Sequence, residues 1–199
     1  MTQVSLDGLV SGARAGHLVS FPTDTVPALA VRPDRAELIF AAKQRSQEKP
    51  LILMGASAAS LWDFVSGSKQ ERLIWQQVAD RYWPGALTLV LPASAKVPRA
   101  MNPADPTSIG LRVPNHAIAQ TILSQTGPMA TTSANRSGEP PLLSITEIEA
   151  EFPDVLTLLP TVLEPSNPTL GVPSTVARWT GGSWHILRQG GVKLEGFEC

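Results

Sequence analysis

The amino-acid sequence predicts an α/β fold, in which a twisted mixed parallel/antiparallel sheet is flanked by helices. Segments with helical and with strand spacing of apolar residues alternate along most of the 199-residue chain. The 18 prolines and 15 glycines are spread throughout the chain, which indicates many short elements joined by stiff turns. A hydrophobic content of 43% is enough for one complete core, so we expect a single domain over residues 1–199.

In the first half of the chain, residues that favour helix starts mark three predicted helices. Ser5, Asp34 and Ser68 each precede an apolar helical pattern, and the last two are followed three residues later by a glutamate, the spacing of a capping box. Gly16 ends the first helix, and Pro84-Gly85 ends the third. The apolar pattern of the third helix is Leu73, Ile74, Val78 and Tyr82. The strands predicted among these helices cover residues 17–21, 50–54 and 86–91.

The second half of the chain alternates in the same way and ends in a hairpin. Asn115 and Thr146 are expected to open two helices, and Thr180-Gly181-Gly182 is a turn sequence that favours a β-hairpin. The strands of this half are predicted at residues 109–113, 128–132, 155–159, 174–179 and 183–188. We therefore expect parallel pairing where helices cross over and antiparallel pairing in the terminal hairpin.

Composition and missing motifs exclude several classes of protein. The only cysteine is Cys199, which excludes thiol redox chemistry, internal disulfides and cysteine-based metal sites. The net charge of −1 gives no global attraction to nucleic acid. Walker A, dinucleotide-binding and metalloprotease motifs are missing from the sequence, and no metal site is predicted. No apolar run reaches the roughly 18–20 residues of a membrane span and no secretory signal is present, so we expect a cytoplasmic protein without membrane contact.

Polar side chains at several predicted strand ends form candidate sites of chemistry. The segment Pro22-Thr23-Asp24-Thr25 follows the first strand and is either a capped turn or part of a ligand site. Lys43, Arg45 and Lys49 lie at and just after the end of the second predicted helix. Cations near a helix C-terminus stabilise the helix, but this stabilisation does not require all three. Together the three cations suit a phosphate ligand. Arg112 lies in a strand that should be buried, so it must pair with an anion or project from an edge.

Two further polar segments lie in the C-terminal half. Residues 131–138, Thr-Thr-Ser-Ala-Asn-Arg-Ser-Gly, offer hydroxyl and amide groups to a ligand or form a capped loop. Ser174 precedes a predicted strand, and Arg188 is a second arginine within one. Each of these motifs is weak by itself, so their order along the chain carries most of the information.

Taken in order, the motifs resemble those of the YrdC/Sua5 family, the threonylcarbamoyl-AMP synthases. The matching segments are FPTDTV, KQR with KPLILM, WPGALTLVLPA, GLRVP, TTSANRSG, PSTV and ILRQGGV. They extend from about residue 4 to residue 193, which is similar to the short, single-domain form of the family. The resemblance implies a twisted α/β sheet curved around a concave, positively charged cavity.

The resemblance also implies a nucleotidyl transfer. L-threonine, bicarbonate and ATP would be joined into threonylcarbamoyl-AMP with release of pyrophosphate, and downstream proteins would use the product for the t6A modification of tRNA. ATP is then a substrate, and magnesium would be held by its phosphates. The residues implied to hold threonine are Thr23, Arg112, Ser133 and Ser174. Those implied to contact ATP are Lys43, Arg45, Lys49, Ser108, Asn135 and Arg188, and Lys43 and Arg45 are the implied catalytic residues.

Departures from the family pattern leave other functions open. Thr25-Val26 is followed by Pro27-Ala28 where the family commonly has Tyr-Gly, and Ser46 stands where a proline is usual. The chain could therefore be a paralogue that binds a nucleotide, a different small substrate or double-stranded RNA, and direct contact with tRNA is also open. A YrdC-like module of a hydrogenase-maturation protein is a further alternative, although acylphosphatase-like and zinc-finger-like segments are missing. The proline-rich residues 160–173 are predicted to form a lid.

Overall fold

One large sheet organises the fold, which a computed structural model describes over residues 2–44, 49–162 and 171–195. The helices of these residues are α1 (Leu6–Arg14), α2 (Glu37–Lys43), α3 (Lys69–Tyr82), α4 (Ala117–Thr126) and α5 (Ile145–Glu151). The strands are β1 (Gln3–Val4), β2 (Val19–Phe21), β3 (Ala28–Val31), β4 (Ile52–Met54), β5 (Leu87–Pro92), β6 (Ser108–Arg112), β7 (Met129–Ser133), β8 (Thr157–Leu158), β9 (Thr175–Trp179) and β10 (Trp184–Arg188). Arg45 and most of the predicted lid, residues 163–170, lie outside the described residues.

Eight strands form the large sheet in the order β10-β9-β5-β6-β4-β7-β3-β2, and β1 and β8 pair separately. The β4–β6 and β5–β9 pairs are parallel, and the other pairs of the large sheet are antiparallel. The predicted mixed sheet and its terminal β9–β10 hairpin are therefore confirmed. The prediction that strands joined by a helix pair in parallel is wrong. The helices α2, α3 and α4 each link two strands that have a third strand between them.

Helices cover one face of the large sheet more completely than the other. On the first face, Leu87, Leu89 and Leu91 of β5 belong to the same buried cluster as Trp75 and Val78 of α3. On the opposite face, buried residues of α1 and α4 pack with those of β2, β3 and β7. The candidate site lies against the middle of the sheet, at β4, β6 and β7.

Two of the five predicted helix starts, Ser5 and Ser68, agree with the structure. The Ser5 hydroxyl accepts a hydrogen bond from the Gly8 N–H at the start of α1, and Ser68 and Glu71 form the predicted capping box of α3. The prediction for Asp34 is wrong, because a 3-10 turn precedes α2 and the Asp34 carboxylate pairs with Arg32 instead.

The starts of α4 and α5 differ from the predictions by one or two residues. The N-cap of α4 is His116 and not Asn115. The helix α5 begins with a capping box formed by Ser144 and Glu147, so Thr146 lies inside its first turn. Both sequences contain neighbouring polar residues that compete for the capping position, and the preceding loop decides between them.

Two buried features differ from the apolar patterns of the sequence. The strand β3 is not predicted, because all four of its residues are buried and it therefore lacks the alternation of a half-exposed strand. On α3, Trp75, Val78 and Ala79 form the buried face, which leaves Leu73 66% exposed. None of the helices in the described parts of the chain has the length and apolar character needed to cross a membrane.

Candidate active site

A cavity of about 340 Å³ lies against the strands in the middle of the large sheet. Its walls come from the loop after β2, the end of α2, the strands β4, β6 and β7, and the segments that flank the β9–β10 hairpin. The sequence-predicted site residues that line it are Lys43, Lys49, Arg112, Ser133, Asn135, Ser174 and Arg188. Thr23 and Ser108 do not belong to the described lining, and Arg45 is not among the described residues.

Arg112 occupies the end of β6 and is only 4% exposed. Its Nη2 donates to the Asp24 carboxylate at 2.6 Å, its Nη1 to the Thr25 hydroxyl at 2.7 Å, and its Nε to the Gly85 carbonyl at 3.1 Å. Burial lowers the pKa of Arg112, the adjacent Asp24 carboxylate raises it, and the charge of Arg188 lowers it. Arg112 is thus buried with an anionic partner, Asp24, as one of the two predicted arrangements requires.

The two threonines after β2 have different positions. Thr23 is 1% exposed, and its hydroxyl donates to the Val26 carbonyl at 2.7 Å and accepts from the Thr25 N–H at 3.2 Å. Thr25 lines the cavity, whereas Thr23 lies behind it and holds the turn. The predicted candidate segment Pro22-Thr23-Asp24-Thr25 contains all three residues, but the family resemblance implies a ligand role for Thr23 and for neither Asp24 nor Thr25.

Lys43 ends α2 and joins this helix to residues 133–138, which we call the SAN loop. Its side chain is 2% exposed, and Nζ donates to the Ser133 carbonyl at 2.6 Å, to the Asn135 Oδ1 at 3.0 Å and to the Asn135 carbonyl. The Asn135 Oδ1 also accepts from the Ser133 hydroxyl at 2.6 Å, and its Nδ2 donates to the carbonyls of Arg136 and Glu139. The amide of Asn135 therefore organises the loop at the same time as it faces the cavity.

Arg188 and Ser174 form the opposite wall and contact one another. The Arg188 Nη2 donates to the Ser174 carbonyl at 2.8 Å and to its hydroxyl at 3.3 Å. The same hydroxyl lies 2.9 Å from that of Thr88 on β5. Burial lowers the pKa of Arg188. One predicted ATP ligand and one predicted threonine ligand are thus joined by a direct hydrogen bond.

Ser108 lies at the start of β6, four residues from Arg112. Because side chains alternate along a strand, Ser108, Gly110 and Arg112 share a sheet face, with Ser108 about 13 Å from Arg112. The Ser108 hydroxyl donates to the Asp105 carboxylate at 2.7 Å. A Cβ at Gly110 would be 3.4 Å from Ile52 and Thr88. Because Gly110 has no side chain, nothing projects from β6 between Ser108 and Arg112 on this face.

The chemistry of the lining suits an anionic ligand. Two lysines and two arginines contribute positive charge, hydroxyl and amide groups contribute hydrogen bonds, and the described lining contains no carboxylate. Among the described residues, His, Cys, Asp and Glu form no group of three that could hold a metal ion. A second cavity of about 390 Å³, on the other side of Pro27, is mainly apolar and contains none of the predicted site residues. The fold and the four cationic side chains of the lining therefore define an α/β protein with a cavity suited to small anionic ligands.

The family follows from a comparison with known sequences. Residues 12–190 match the sequence model of the Sua5/YciO/YrdC family, described as telomere recombination. The chain belongs to the Sua5/YciO/YrdC family. The threonylcarbamoyl-AMP synthase of Pyrococcus abyssi is 35% identical over 189 residues, which cover 93% of this chain and 54% of that protein. The counterpart from Photobacterium profundum is 31% identical over 159 residues, 78% of this chain and 85% of the relative.

Solved structures agree with this assignment. Pyrococcus abyssi Sua5 complexed with L-threonine has a TM-score of 0.83 at 32% identity, covering 96% of this chain and 55% of that one. Escherichia coli YciO has a TM-score of 0.80 at 24% identity, covering 96% and 92%, and shares the fold. The chain thus spans about half the length of the first of these relatives and most of the length of others.

Proposed function

We propose that this chain, as a single domain over residues 1–199, forms threonylcarbamoyl-AMP and pyrophosphate from L-threonine, bicarbonate and ATP. The observation that carries the proposal is a single cavity lined by Arg112, by serine and threonine hydroxyl groups, and by the three further cations Lys43, Lys49 and Arg188. One end suits a carboxylate and the other suits a polyphosphate. The similarity to a Sua5 structure that contains L-threonine supports the assignment of the carboxylate end.

At the carboxylate end, Arg112 is the main ligand of threonine in this proposal. Three of its five N–H groups donate to the described residues Asp24, Thr25 and Gly85, which leaves one N–H on each Nη for a carboxylate. Ser174 and Ser133 contribute hydroxyl groups from either side. Thr23 acts indirectly, by holding the turn that presents the Thr25 hydroxyl.

At the other end, Lys43 and Lys49 neutralise the phosphates of ATP, with Arg45 as a further cation and Ser108 on the same sheet face as Arg112. Arg188 contributes to the same task from beside Ser174, to which it donates a hydrogen bond. The threonine amine attacks bicarbonate and water leaves, which gives a carbamate. A carbamate oxygen then attacks the α-phosphorus, and pyrophosphate leaves. Positioning and charge stabilisation are the contributions expected of Lys43, Arg45, Asn135 and Arg188.

Magnesium fits this scheme only as a partner of the nucleotide. The described lining offers hydroxyl and carbonyl oxygens but no carboxylate, and the nearby Asp24 already pairs with Arg112. Phosphate oxygens and water would therefore hold the ion, which supplies further charge neutralisation when it is bound. The product would pass, in the cytoplasm, to proteins that transfer it to tRNA.

A second candidate function is supported by the wall next to Arg112. Pro27 and Ala28 line the cavity at the place where the family pattern commonly has Tyr-Gly. Loss of an aromatic wall changes the shape of the pocket for the amino-acid side chain. The alternative is therefore a nucleotide-binding paralogue that handles a different small substrate.

The test is an assay with radiolabelled bicarbonate, ATP and each amino acid in turn, scored for a labelled adenylate. We expect label in the adenylate with L-threonine, and at least a hundredfold less with Arg112→Gln. The matched control is Arg32→Gln, because Arg32 is an exposed arginine outside the described lining whose partner is Asp34. An adenylate with another amino acid supports the paralogue. No adenylate with any amino acid, in a protein that binds ATP by calorimetry, refutes the synthase proposal.

A further inference from the structure

Two side chains connect the end of α2 and the SAN loop in opposite directions. The Lys43 Nζ of α2 donates to the carbonyls of Ser133 and Asn135 in the loop. In return, the Arg136 Nη1 of the loop donates to the Ala42 carbonyl at 2.6 Å. Ala42 lies in the last turn of α2, where carbonyls lack partners within the helix. Lys43 and Arg136 therefore both connect the last turn of α2 with the SAN loop.

Arg136 is itself held on two further sides. Its Nε donates to the Glu151 carboxylate, and its Nη2 donates to the Glu151 carbonyl at 3.1 Å. The guanidinium also lies over the Phe152 ring at 5.1 Å. One planar group thus spans the end of α5 and the end of α2, a geometry that the fork of an arginine allows and a lysine ammonium does not.

The helix α2 needs such support at its end. It has seven residues, and Gln44 follows in a left-handed conformation with a φ of 48°. A helix this short is not stable in isolation, so external contacts set the position of its last turn. Lys43 belongs to that turn and lines the cavity.

We infer that Arg136 is a positioning residue, which fixes the last turn of α2 against the SAN loop and so places Lys43 at the phosphate end of the cavity. Arg136 is not in the described lining of the cavity, so it acts through Ala42 and Lys43 and not by contact with the ligand. The inference depends on the proposed function only for its ATP readout.

The experiment compares four variants of the full chain for ATP affinity by calorimetry and for hydrogen exchange of the amides of residues 41–44. Arg136→Ala is expected to weaken ATP binding about tenfold, the equivalent of one charge-assisted hydrogen bond, and to accelerate that exchange about tenfold. Arg136→Lys is expected to change ATP affinity and hydrogen exchange less than Arg136→Ala does, because a lysine ammonium can reach one of the two partners, Ala42 or Glu151, but not both. Glu151→Gln and Arg35→Ala are the controls, with both readouts expected within about twofold of the wild type. Glu151→Gln keeps the contact with Ala42, and Arg35 lies beyond the other end of α2.

Two results would overturn the inference. The first is a folded Arg136→Ala protein with unchanged exchange at residues 41–44. The second is an equal loss in Glu151→Gln, which would mean that α5 is the functional partner. If the alanine variant does not fold, the lysine variant decides in the same way. If the wild type binds no ATP, the proposed function fails, and the exchange at residues 41–44 still decides whether Arg136 positions α2.

Discussion

Replacing Lys43 by methionine tests whether this side chain is an internal cross-link, a phosphate ligand or both. The side chain is 2% exposed, and its ammonium donates to three oxygens of the SAN loop. Methionine fills a similar volume but donates no hydrogen bond. The sequence alone suggests a variant with weaker ATP binding and unchanged stability, whereas the structure predicts that both properties change.

The expected loss of stability follows from these contacts. A hydrogen bond to a charged donor contributes about 1.5–3 kcal/mol, and removing the donor leaves buried oxygens unsatisfied. Desolvation of the buried ammonium offsets much of that gain. We therefore expect the free energy of unfolding to fall by about 2–3 kcal/mol, which a domain of ordinary stability tolerates.

The assay is urea denaturation followed by tryptophan fluorescence, with ATP affinity measured by calorimetry on the folded variant. We expect Lys43→Met to weaken ATP binding by about 1.5–3 kcal/mol, or roughly ten- to a hundredfold. Lys49→Met is the matched control, because Lys49 is exposed and its Nζ lies 3.5 Å from the Ser137 hydroxyl. It should weaken ATP binding while changing stability by less than about 0.5 kcal/mol. Unchanged unfolding of Lys43→Met would refute the cross-link, and unchanged ATP affinity would refute the phosphate role.

Three further substitutions test other parts of the site and fold. Asp24→Asn removes the charge that compensates the buried Arg112, so we expect the free energy of unfolding in urea to fall by about 2–3 kcal/mol; an unchanged value would contradict the pairing. A Cβ at Gly190 would collide with the backbone of the segment before β9. Gly190→Ala should therefore lower the free energy of unfolding by about 1–3 kcal/mol and weaken ATP binding. Gly191→Ala is the control, because a Cβ there makes only ordinary side-chain contacts, and it should change neither property. Hydrogen bonds from the backbone of the α3 N-cap and from an indole N–H lower the pKa of Glu71. Its contribution to stability is therefore present at neutral pH and lost as the pH falls through the lowered folded-state pKa. The difference in unfolding free energy between the wild type and Glu71→Gln should accordingly shrink between about pH 6 and pH 3, and a constant difference would refute that linkage.

Local patterns in the sequence determined the helices, most of the strands and the residue types of the site. Ser5 and Ser68 act on amides within three residues of themselves, so their capping roles can be read from spacing. An arginine in a strand that should be buried must find an anion, and Arg112 does. The family motifs identified the cavity residues as a set, and seven of the predicted positions meet in one cavity.

Only the tertiary structure decided which of these residues face the cavity and which stand behind it. Thr25 and not Thr23 belongs to the lining, although the two hydroxyl oxygens lie 3.1 Å apart. Asp24 pairs with Arg112 across 88 positions of the chain, and Arg136 reaches Ala42 across 94. Such contacts depend on strand order, which places β6 between β5 and β4 although β5 and β4 are joined by α3. Strand order is set by the free energy of burying whole faces of helices and strands together. That free energy is a property of the packed domain, so no short segment of the sequence reveals the strand order.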